Sequence, residues 1–148
     1  METKKNIEIL ESLISTLEDG RLGYTEAAEK CEDVQLKEIF LSHARHRSLM
    51  VVRLQDEINK LGKSTDSTDD LLGAAHRIWL DLKAAFTGND SEAIIEACET
   101  GEEYAINKFK DALNEEDLFS SLHAVISSQL REIERDLEKI KSYKKVIL

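Results

Sequence analysis

An all-α four-helix bundle is the fold class this sequence predicts, on three observations. Proline is absent from all 148 residues; long helices exclude it, whereas β-rich domains use it in turns. Leu, Glu, Lys, Ala and Ile dominate the composition, a helix former's vocabulary. Four segments repeat apolar residues at alternating spacings of three and four, the 3.5-residue period of helices packed nearly parallel or antiparallel. The length suits one domain with a real core, residues 1–148.

The first seam runs Ile7, Leu10, Ile14, Leu17, Arg21, Tyr24, Ala28, Cys31 and predicts a helix over 4–32, with Gly20 and Gly23 tolerated inside it. Glu32 and Asp33 make a tight link. The second seam, Leu36, Phe40, His43, Arg47, Met50, Leu54, Ile58 and Leu61, predicts a helix over 34–61 with Gly62 as its terminating glycine. So short a link makes these two helices antiparallel. Residues 91–114 carry Ile95, Cys98, Glu102, Ala105, Phe109 and Ala112 on the third seam, with Asp90 as the expected N-cap. A turn at 114–117 leads to the fourth helix, 118–143, with Leu122, Ile126, Gln129, Ile133, Leu137 and Ile140 inward. These two are antiparallel by the same argument.

Between the hairpins, a polar run from Lys63 to Thr68 precedes an amphipathic stretch with Asp69 and Asp70 in its first turn and Leu72, Ala75, Ile78, Trp79, Leu82 and Phe86 on one side. A helix there is roughly 27 Å long, nearly the length of the bundle. The topology expected is therefore two antiparallel hairpins joined by one long crossover. Ile78, Trp79, Leu82 and Phe86 are the expected docking residues of that crossover, against the bundle or a second subunit, and a homodimer is the expected assembly.

A net charge of −10 repels phosphate backbones and anionic headgroups, which argues against nucleic acid and membrane partners. No apolar stretch reaches the length of a membrane span, and residues 1–5 lack a signal core, so a cytoplasmic location is expected. Cys31 and Cys98 make no disulfide framework and read as reduced thiols filling the core. A phosphate loop, a nucleophile elbow and zinc spacing are all missing, which removes most enzyme classes.

Every long segment interrupts its seam with a polar residue: Arg21, then His43 with Arg47, then Glu102, then Gln129. Counted from the two turns, these fall near one height. Buried charges must satisfy one another or bind something. The favoured reading is an internal ion-pair layer in which Glu102 accepts from Arg47 or Arg21. The rivals are a metal or ligand site, and a mis-phased helix that leaves one of these residues at the surface.

The run from Glu38 to Met50 resembles the second helix of rubrerythrin-type ferritin-like proteins, and Thr100 to Tyr104 resembles their third. Gly23 to Glu29 and Ala75 to Ala85 resemble an uncharacterised bacterial family of ferritin-like four-helix proteins of similar length. The resemblance covers nearly the whole chain and implies a ferritin-like four-helix bundle. It also implies where a di-iron site would stand, with a carboxylate from each of two helices and Glu-x-x-His from each of the other two. Here the second helix offers Arg47 and Met50 at those positions, and the fourth offers Gln129 and Glu132 without a histidine. Glu18, Glu102, Glu132 and His46 remain as weak candidates for iron or manganese.

The function expected is a non-enzymatic binding or scaffold module, associated with stress or protein interaction and needing no cofactor. The alternatives are a divergent di-iron oxidoreductase and a module that takes a small apolar ligand or lipid between its helices.

Overall fold

The 3.5-residue seam of the first segment closes into one uninterrupted helix. In the computed structural model, which describes residues 2–63 and 91–147, this is α1, Glu2–Lys30. It stops there because Asp33 takes an extended backbone (φ −73°, ψ 117°) and caps the next helix, its carboxylate accepting from the Leu36 amide at 3.0 Å. That helix, α2, is Val34–Lys60. Its last turn closes at Leu61, and Gly62 follows with φ +96°, a left-handed conformation that suits glycine alone. The second hairpin is α3, Ser91–Leu113, and α4, Ser120–Ile147. The fourth helix starts two residues later than its seam predicts and runs four further. No strand occurs among the described residues. The amphipathic stretch around Leu72 to Phe86, the Asp90 cap and the docking set Ile78, Trp79, Leu82 and Phe86 all lie outside them.

Side-chain contacts give the directions of the helices. Near the start of α1, the buried Asn6 donates to the Asp117 carbonyl (2.9 Å) and accepts from the Phe119 amide (2.9 Å), which pins the α3–α4 turn there. Lys63, just past α2, reaches Glu11 of α1 at 2.8 Å. At the opposite end, Tyr143 of α4 donates to Asp33 in the α1–α2 turn at 2.8 Å. Across α2 and α4, Arg47 meets Asp136 while Met50 meets Gln129, so the numbers rise on one helix as they fall on the other. Helix α4 is therefore antiparallel to α2 as well as to α3, and α2 and α3 run parallel. The chain from 61 to 90 thus joins opposite ends of the bundle, as the crossover topology requires.

Each helix backbone packs on two neighbours, α1 and α4 both on α2 and α3, and across the diagonals only side chains meet. The core falls into two apolar clusters. One, towards the α3–α4 turn, centres on Leu10, Leu17, Leu54, Phe109, Ile126 and Ile133. The other, towards the α1–α2 turn, centres on Tyr24, Leu36, Phe40, Ile95, Cys98 and Ile140. What separates them is polar. No helix among the described residues is long and apolar enough to cross a membrane.

Candidate functional site

At mid-height α2 turns Arg47 straight into the core. Its side chain is 1% exposed and bonds Glu102 of α3, also 1% exposed, through one terminal nitrogen. The other terminal nitrogen donates to Asp136 of α4 at 2.8 Å, and the Met50 sulfur lies 3.6 Å away. Gly20 of α1 faces the arginine stem: a Cβ built there would stand in ordinary contact, 3.7 Å from the Arg47 Cδ and Nε. The guanidinium also sits 5.7 Å from the Tyr24 ring centre, within cation–π range. One guanidinium thereby ties four helices together.

Burial works against the Arg47 charge, but the facing Glu102 carboxylate more than offsets it and holds the pKa above the ordinary arginine value. Burial likewise raises the Glu102 carboxyl, opposed by the Arg47 charge beside it. At Asp136 burial also raises the pKa, but Arg47 and His43 outweigh it and the net shift is downward. The Tyr24 hydroxyl, wholly buried beside Glu102, is pushed well above its usual value and stays protonated.

His43 lies one turn from Arg47 and is buried. Its ring meets Tyr24 edge-on (5.0 Å between centroids, 84°), and neither ring nitrogen has a hydrogen-bond partner, the nearest acid being Asp136 at 3.6 Å. Burial drops its pKa to about 4, so near neutral pH it is an uncharged aromatic filler. His46, half-buried at the edge, lies 3.1 Å from Asp136 and 3.5 Å from Glu132. Gln129 is buried and donates to the Met50 carbonyl at 3.1 Å. Beside it, α2 and α4 stand apart around a groove of about 450 Å³ that His46, Leu49, Met50, Val125, Gln129 and Glu132 help to line.

Between Glu102 and Asp136 lies the fixed charge of Arg47. Glu18 is engaged with Arg21 on the outer side of α1 (2.9 Å), and Glu132 with His46 at the groove, so the acids are not gathered at one point. No cluster of three or more His, Cys, Asp or Glu among the described residues is arranged to hold a metal ion. Cys31 and Cys98 are free and buried, and burial raises the pKa of both, the opposite of an activated cysteine.

Residues 5–115 match the family described as Domain of unknown function (DUF2383). The chain belongs to that family. No curated protein matches it. Among solved structures it is similar to a point mutant of Dps1 from Mycobacterium smegmatis, with a TM-score of 0.80 at 13% identity over 96% of each chain. At that identity the likeness concerns the fold, and the fold is ferritin-like. The DUF2383 match includes His43, Arg47 and Glu102 and ends before α4, so Gln129, Glu132 and Asp136 lie beyond it.

Of the polar residues that interrupt the seams, the structure brings Arg47 and Glu102 into direct contact and places His43 and Gln129 within a turn of Arg47. Arg21 does not join them. It is half-buried and bonds Glu18, while Gly20 is the residue of that turn that faces the Arg47 stem. Sequence reasoning missed Asp136, the second acceptor of Arg47. The alternation after Gln129 and Ile133 reaches 136 and 140, next to the buried seam residue Leu137. An acid three residues after Ile133 and four before Ile140 is the available signal.

Proposed function

We propose that this DUF2383 chain is a cytoplasmic binding or scaffold module, not an oxidoreductase, and that an internal Arg–Glu–Asp layer replaces a di-iron site. The observation that carries the reading is Arg47 between Glu102 and Asp136, two acids from different helices held by one buried guanidinium. A guanidinium is always charged and cannot serve as a ligand. A cation entering between the acids would meet a like charge and would leave Arg47 buried without a partner. The groups around it point the same way: His43 and Tyr24 are neutral and enclosed. Such a layer holds four helices in register and leaves function to the outer surface.

The test is metal analysis of protein purified in air without a chelator, together with Glu102→Gln. The expected outcome is iron and manganese well below one ion per chain in both. Near-stoichiometric metal in the parent that disappears in Glu102→Gln would replace this reading with an iron-binding one.

A further inference from the structure

We propose that the first partner of this module is a second copy of the chain, docked antiparallel along the outer stripe of α2 about a twofold axis between Leu49 and Val52. The proposal deepens the binding-module reading by naming partner and surface. Its starting point is exposure: Leu49 is 69% and Val52 61% exposed, one turn apart on the same side of one helix. They face directly away from Arg47, Met50 and Leu54, which are in the core.

The stripe continues at alternating spacings of three and four through exposed residues: Ser42, Arg45, Leu49, Val52, Asp56, Asn59. An interface between identical copies about a twofold must be complementary to itself. Laid antiparallel about the midpoint of Leu49 and Val52, this stripe is. Leu49 of each copy falls opposite Val52 of the other. One turn out, Arg45 falls opposite Asp56, and a turn beyond that Ser42 falls opposite Asn59. Each rung pairs apolar with apolar, cation with anion, or polar with polar. A parallel arrangement would instead set Arg45 on Arg45 and Asp56 on Asp56, so the charges select the orientation.

The charges are also free to pair. Arg45 makes no ion pair among the described residues. Asp56 shares only exposed contacts with Arg53 (4.0 Å) and Lys60 (3.4 Å) on its own helix, and such pairs bind weakly. The stripe is electrically balanced on a chain of net charge −10, so it offers a place where two such chains can approach. Beside it, Leu49 leans over the α2–α4 groove, whose far wall carries Ala124, Val125 and Ser128. That wall of small side chains leaves space for the partner's stripe. A seam of this size makes a weak dimer, of the transient kind.

Sedimentation equilibrium of the full chain over a concentration series tests the proposal. The variants are Arg45→Asp, Asp56→Arg, the double exchange and Leu49→Glu, with circular dichroism to verify folding. The parent should form dimers. Each single reversal, which by symmetry creates two like-charge contacts, should raise the dissociation constant at least ~10-fold. The double exchange should bring it back to within a factor of about 3, since opposite charges again face each other. Leu49→Glu should leave monomer. A parent that stays monomeric throughout overturns the proposal. A dimer indifferent to all four variants also overturns it, since another face is then in use, yet leaves the binding-module reading standing. A double exchange no tighter than the singles overturns the antiparallel register.

Discussion

Replacing Arg47 by methionine removes the group on which the centre of the bundle converges. Glu102 would be left 1% exposed with no cation beside it, and breaking a buried pair in this way costs about 3–5 kcal/mol. Asp136 adds little, because it is 13% exposed and keeps His46 at 3.1 Å. The methionine would still pack its stem on Gly20, recovering part of the dispersion contact but none of the charge. The expected loss is therefore about 3–5 kcal/mol in urea unfolding at neutral pH. Glu102→Leu should cost less, about 1–3 kcal/mol, since Arg47 retains Asp136 at 2.8 Å. In the double variant neither group is stranded, so the loss should fall well short of the sum of the two. The pH dependence has a definite sign. Burial already raises the Glu102 pKa, and removing Arg47 raises it further. The folded variant then holds a proton that the unfolded chain releases, so its deficit should be smallest below the usual carboxyl pKa and grow as pH rises. Losses that simply add in the double variant would refute the account of Arg47 and Glu102 as a coupled pair.

His43 gives a second pH test. Its folded pKa of about 4, against 6.5 for an ordinary histidine, means that the unfolded chain binds the extra proton first. Stability should thus fall between pH 6.5 and about 4, by roughly 3 kcal/mol from this group. His43→Phe should flatten that slope in urea titrations, and an NMR titration should show the imidazole uncharged at pH 6. Asn6 tests the helix–turn clamp. Asn6→Leu deprives the Asp117 carbonyl and the Phe119 amide of their partner and should cost about 1–3 kcal/mol, with amide exchange accelerating first in the α3–α4 turn.

By itself the sequence determined the four helices and their directions. Apolar spacing is a local property of each segment, and the lengths of the two short links against the chain from 61 to 90 decide which helices can run antiparallel. The polar interruptions at Arg47 and Glu102 were legible for the same reason, because a charge on an otherwise apolar seam is conspicuous in one dimension. Which groups meet inside was decided only by the tertiary structure. Arg21 and Gly20 are consecutive, and nothing in α1 alone says which faces inward until the Arg47 stem from α2 packs against Gly20. Asp136 and Leu137 are consecutive and both turn inward, Leu137 into the apolar core and Asp136 to a guanidinium that reaches it from another helix. Asn6 is buried while its neighbour Ile7 is only partly so, because the α3–α4 turn, more than a hundred residues away, presents an amide and a carbonyl there. A helix's period leaves about one residue of freedom in where its inward face lies. The partner across the core, invisible in a single segment, removes that freedom.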